Sequence, residues 1–198
     1  MRLIGITGGV GAGKSEILKY IGTHYSCEIY LADEVAHKVK EPGQPCYEHL
    51  VTLLGKDILN EDGTIHKGKM ATRIFGDEVL LAKVNEIVHP AVQQYILEKI
   101  AEAVKNQVAL FFIEAALLIE AGYKEIVDEL WYIYADEEVR RTRLTSSRGY
   151  SEEKIRQIMD NQLTEEAFRA SCDFVIDNSG ALEDSFRQID EYLQEYNK

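Results

Sequence analysis

Apolar positions along this chain follow two alternating rhythms. Short continuous runs (Leu3-Ile4-Gly5-Ile6-Thr7, Cys27-Glu28-Ile29-Tyr30-Leu31, Val108 to Ile113, Leu130 to Tyr134 and Phe174-Val175-Ile176) predict strands, the first and third of them buried. Between the runs the helical period returns. Ile17, Leu18 and Ile21 share one face of a helix predicted over 13–24, and further helices are predicted at 34–40, 44–54, 67–75, 77–104, 136–147, 151–162, 164–171 and 181–196. Pro90, following His89, is expected to kink or break the longest of them. Strands separated by helices pair in parallel through right-handed crossovers, so the chain reads as a doubly wound α/β fold with a five-stranded, mostly parallel sheet. The interval 35–107 is far too long for one crossover helix and predicts a helical insertion within a single domain spanning 1–198. No internal repeat or low-complexity segment is present.

Composition narrows the function. A chain of 198 residues, 45% apolar and 28% charged, can close a core without disulfide staples. Its 34 acids against 22 Lys and Arg leave a net charge of −12, which repels a nucleic-acid backbone but permits a phosphorylated small molecule if basic groups are gathered locally. Cys27, Cys46 and Cys172 are odd in number and widely spaced, with no CxxC, and read as reduced thiols. The first residues lack the apolar core and cleavage site of a signal peptide. The apolar stretch Val108 to Ala121 is interrupted by Glu114 and Glu120, so no membrane anchor is expected and the location implied is cytoplasmic.

One motif is complete. Gly8-Gly9-Val10-Gly11-Ala12-Gly13-Lys14-Ser15 matches GxxxxGK[ST] at every fixed position, between a predicted strand and a predicted helix. Glycines let several N–H groups converge on one phosphate cluster, and the helix N-terminus adds partial positive charge. Lys14 is expected at the β- and γ-phosphates and the Ser15 hydroxyl on Mg²⁺. The fold implied is that of a P-loop NTPase.

Other residues fit phosphoryl transfer less uniquely. Asp33 follows the second strand and can serve as a general base or as a helix N-cap. Glu114 closes a Walker-B-like strand, Phe111-Phe112-Ile113-Glu114, as a possible Mg²⁺ ligand or a solvated acid. Four of the nine arginines fall at 140, 141, 143 and 148. Arg140 and Arg143 share a helix face and suit an anion site, or pair with Asp136, Glu137 and Glu138; Gly149 beyond them suits a mobile lid. The five histidines never approach metal-ligand spacing, and Tyr132 and Phe174 read as core. A guanine-reading Asn-Lys-x-Asp element is absent, which argues against a GTP-driven switch.

Taken together, the chain resembles the dephospho-coenzyme A kinase family over nearly its full length. The resemblance is carried by Ile4-Gly5-Ile6-Thr7-Gly8-Gly9, Ala32-Asp33, Glu41-Pro42-Gly43, His89-Pro90, Leu117-Leu118-Ile119-Glu120, Gln162 and Asp173 to Gly180. It implies ATP-dependent phosphorylation of the ribose 3′-hydroxyl of dephospho-CoA, an acceptor-binding insertion at about 35–107 and a lid at about 136–165. It also implies Asp33 as base, the run Gly11, Ala12, Gly13, Lys14, Ser15 and Glu16 as the ATP loop, and Lys14, Arg140 and Arg143 on the transferred phosphate. A P-loop kinase for a nucleoside or nucleoside monophosphate, or a diverged nucleotide-binding paralogue, would share most of these features. The pattern departs from the family at four places: Leu31 and Glu114 stand where Asp is usual, Ala116 for Pro, and Glu16 for Thr.

Overall fold

The computed structural model describes residues 1–194; the predicted end of the last helix, at 195–196, lies outside them. Five strands, β1 (Arg2–Thr7), β2 (Cys27–Leu31), β3 (Leu110–Glu114), β4 (Glu129–Tyr134) and β5 (Phe174–Asp177), line up in the order β2-β3-β1-β4-β5. β1 pairs in parallel with both β3 and β4, and β4 in parallel with β5. The three inner strands are almost wholly buried, as strands covered on both faces must be. The outer two are only half-buried, because each has a neighbour on one side alone. Phe174, expected in the core, is therefore half-buried on an edge, while Tyr132 is buried.

The chain divides into two compact units, one comprising residues 1–29 and 103 onward, the other Tyr30–Glu102. The first holds most of the sheet with α1 (Lys14–His24), α6 (Glu137–Arg148), α7 (Glu152–Asp160), α8 (Glu165–Ser171) and α9 (Leu182–Tyr192). At its centre Trp131, fully buried, meets Phe112 and Phe174 edge-on at 5.7 and 5.2 Å between ring centres. The second unit is helical: α2 (Ala32–Lys38), α3 (Pro45–Leu54), α4 (Lys67–Ile74) and most of α5 (Glu78–Lys105).

Local chemistry accounts for the departures from the expected boundaries. α5 continues through Pro90 without a break. Proline costs a helix interior about 3 kcal/mol. Val84 and Val88 before it and Val92 and Ile96 after it are all buried, at roughly 1.5–3 kcal/mol each, and outweigh that loss. Beyond α5 the backbone turns through Gln107 at φ 57°, and the Val108 N–H bonds the Ala103 carbonyl at 3.0 Å, so β3 begins at Leu110 rather than 108. α2 starts at Ala32 with no intervening loop, and Leu31, the last residue of β2, is its N-cap.

Candidate active site

β1 ends at Thr7 and α1 begins at Lys14, leaving Gly8 to Gly13 as the connecting loop. Gly13, the α1 N-cap, sits at φ 92°, a left-handed conformation that L side chains rarely adopt, and a Cβ there would strike Asn178 Nδ2. At Gly9 a Cβ would occupy the space of the Arg140 guanidinium. Among the described residues, the amides of Gly11 and Gly13 meet no acceptor of the protein, as suits a loop whose N–H groups face an anion. Lys14 Nζ donates to the Gly8 carbonyl at 2.7 Å and lies 3.7 Å from Glu114 Oε1. Ser15 and Glu16 are exposed in the first turn of α1, where a carboxylate is favoured by the helix dipole.

α6 folds its arginines onto this loop. Arg140 Nε donates to the Val10 carbonyl at 2.9 Å, and its Nη2 to Gln162 Oε1 at 2.8 Å. The same glutamine oxygen accepts the Val10 N–H at 3.2 Å. Burial lowers the Arg140 pKa from its usual value. Arg143, one turn on, donates to the Ala12 carbonyl at 3.5 Å and to the Asn178 carbonyl at 2.8 Å. Pairing with an acid of the same helix, the alternative open in the sequence, is the arrangement of Arg141, which bonds Glu137 at 2.7 Å and, across to α7, Glu152 at 3.0 Å.

Gln162 and Asn178 were legible only as fragments of a resemblance, with no role. Asn178 is fully buried; its Nδ2 donates to the Ala12 carbonyl at 2.7 Å, and its Oδ1 accepts from Ser185 Oγ at 2.9 Å. A strand-terminal Asn is a turn signal in sequence. Its partner Ala12 lies at the other end of the chain, which no local pattern reveals.

Lys14, Glu114, Arg140 and Arg143 thus gather about one loop within one unit, whereas Asp33 belongs to the unit Tyr30–Glu102. Asp33 is exposed in the first turn of α2. It is not the N-cap: Leu31 holds that position, and no side chain caps the helix. The Ser15 hydroxyl and Glu114 carboxylate are hard oxygen donors of the type that magnesium takes, so the residues present fit that ion.

A strand, glycine loop, lysine and helix N-terminus, with two arginines folded onto the loop, define the nucleotide half of a P-loop kinase. Comparison with known proteins narrows the class. The family model described as dephospho-CoA kinase matches residues 2–184. A dephospho-CoA kinase of Aquifex aeolicus is 36% identical over 195 residues, covering 98% of this chain and 97% of its own. One of Carboxydothermus hydrogenoformans is 35% identical over 194 residues, covering 98% of this chain and 94% of its own. Among solved structures, TT1252 from Thermus thermophilus superposes with a TM-score of 0.81 at 27% identity, covering 98% of this chain and 97% of that one. A Campylobacter jejuni dephospho-CoA kinase, at 23% identity and a TM-score of 0.76 over 98% of this chain and 97% of its own, shares the fold. The chain belongs to the dephospho-CoA kinase family.

Proposed function

We propose that this protein transfers the γ-phosphoryl group of ATP to the ribose 3′-hydroxyl of dephospho-CoA, giving coenzyme A and ADP. The observation that carries the reading is the loop Gly8 to Ser15, with its open amides, Lys14 and the two α6 arginines, in a chain of this family. Catalysis of this kind is mostly positioning and charge stabilisation. The loop amides and Lys14 hold the ATP phosphates, and Arg140 and Arg143, in a lid of about 136–165, turn from loop carbonyls to the transferred group. Asp33, exposed and not engaged as a cap, accepts the 3′-hydroxyl proton as that oxygen bonds to the γ-phosphorus and the bond to the ADP oxygen breaks. Magnesium, held by Ser15 with Glu114, would neutralise phosphate charge. The helical stretch of about 35–107 takes the acceptor.

No helix among the described residues is long and apolar enough to cross a membrane, and we place the enzyme in the cytoplasm. The test is incubation with ATP, Mg²⁺ and dephospho-CoA, beside a panel of nucleosides and nucleoside monophosphates. Coenzyme A, seen by mass as dephospho-CoA plus one phosphoryl group, is the expected product. Faster phosphorylation of another acceptor, or none of dephospho-CoA, overturns the reading.

A further inference from the structure

Gln162 lies in the short connector between α7 and α8, a segment pinned on both sides. Its own N–H bonds the Met159 carbonyl at 3.1 Å, and two residues on, Thr164 Oγ1 caps α8 by accepting the Ala167 N–H at 3.3 Å. The side chain is half-buried, and its Oε1 accepts two hydrogen bonds: from the Val10 N–H of the glycine loop at 3.2 Å and from Arg140 Nη2 at 2.8 Å. Arg140 Nε donates in turn to the Val10 carbonyl at 2.9 Å. Glutamine and arginine thus close a circuit on one loop residue, with both its N–H and its carbonyl engaged.

The circuit fixes the Arg140 guanidinium without neutralising it. Nε and Nη2 are both held, and the group rests against Gly9, where a Cβ would collide with it. Both acceptors are neutral amide oxygens, and among the described residues Arg140 forms no ion pair and its Nη1 no hydrogen bond. Arg140 is half-buried, and a cation withdrawn from water is favoured by a counter-charge. Acids are at hand on this helix, and the adjacent Arg141 takes one, Glu137. Arg140 is oriented by an amide instead. An orienting group that leaves the charge whole suits phosphoryl transfer, where that charge must act on the transferred oxygens.

We propose that Gln162 is a positioning residue for the transfer step: its neutral side-chain oxygen holds Arg140 beside the glycine loop, in reach of the γ-phosphoryl group and with its full charge. The proposal rests on the function given above. As Arg140 turns from the Val10 carbonyl to the transferred group, the bond from Nη2 to Gln162 is the tether that keeps the turn short. The same oxygen ties the arginine to a loop amide, so loop and lid are set relative to each other by one atom. Gln162 itself touches no reacting atom and acts through Arg140.

The test is a double-mutant cycle on kcat for coenzyme A formation, with wild type, Gln162→Ala, Arg140→Ala and the double variant. Gln162→Ala is expected to lower kcat about 10- to 100-fold, the scale of a misplaced catalytic group. Arg140→Ala should lower it about 10³-fold. In the Arg140→Ala background the change at 162 should cost less than about 3-fold, because nothing remains to position. KM for dephospho-CoA should stay within about 2-fold throughout. Gln162→Glu separates orientation from charge. Its carboxylate can keep both bonds and should leave the melting temperature at or above that of wild type, yet lower kcat at least as far as Gln162→Ala by neutralising the arginine. Should Gln162→Ala fail to fold, Gln162→Met, of similar length and without an acceptor oxygen, takes its place in the cycle. Equal losses at 162 in both backgrounds, or wild-type kcat in Gln162→Glu, overturn the positioning role even where wild type makes coenzyme A. Absence of coenzyme A formation by wild type overturns the proposed function itself, and the two failures are told apart by which protein shows them.

Discussion

The glycine loop and the cavity lined by Lys40 and Lys67 gather basic or donor groups in one acidic chain by opposite means. In the loop the backbone does the recognising. Glycines shape it, the amides of Gly11 and Gly13 are left open, and its carbonyls are held by Arg140, Arg143 and Asn178. In the cavity side chains line the space, the half-buried Lys40 and the exposed Lys67 together with Pro42, Met70 and Ile74. A phosphate common to every nucleoside triphosphate can be met by backbone amides, which do not vary with sequence. A particular acceptor needs side chains, whose charge and shape can be tuned. The first region is braced before any ligand is considered; the second carries an unbalanced charge.

The strongest break in this contrast comes from Lys14→Ala. It should lower kcat/KM by roughly 10³-fold or more, the scale on which cations act in phosphoryl transfer, while circular dichroism and thermal melting stay as in wild type. Wild-type turnover would remove the loop from the chemistry. Asp33→Asn comes next, with kcat reduced by about 10²- to 10⁴-fold, ATP affinity unchanged and melting unchanged. Since Asp33 is not the α2 cap, a lowered melting temperature with near-normal kcat would point to a purely structural role. Asn178→Ala tests the bracing: it removes the bond to the Ala12 carbonyl and strips Ser185 of a partner. A loss of about 1–3 kcal/mol in stability, read by urea titration, is expected along with a higher KM for ATP but not for the acceptor.

The smallest effect has the opposite sign. Lys40→Met replaces a half-buried cation that makes no hydrogen bond or ion pair among the described residues with an apolar chain of similar length, and should raise stability by about 0–1 kcal/mol. A clear loss of stability would mean that Lys40 holds the unit together. Asn178 and Lys40 thus place the two regions on opposite sides of the stability balance.

Much of the molecule was legible in its residues. Each of the five strands lies within two residues of its apolar run, because a run of that kind has few ways to hide from water other than in a sheet. The loop was readable in full, since Gly, Lys and Ser act there through covalent neighbours in a local turn. Pro90 does not break its helix because burial of valines on both sides, a tertiary quantity, outweighs a local penalty. The cap reading of Asp33 fell because α2 starts at Ala32 with Leu31 as its cap, a boundary that propensity leaves loose by several residues.

By itself, then, the sequence determined the order and kind of elements, the phosphate loop and the family, all of them properties of neighbouring residues or of their period. The tertiary structure alone decided the strand order β2-β3-β1-β4-β5, the turning of Arg140 and Arg143 onto the loop, and the bracing by Gln162 and Asn178. It also decided that His37, Lys40 and Lys67, scattered through an unremarkable helical stretch, line one cavity. These are contacts between residues far apart in the chain, chosen by packing and by the need to pair buried polar groups, and no local pattern encodes them.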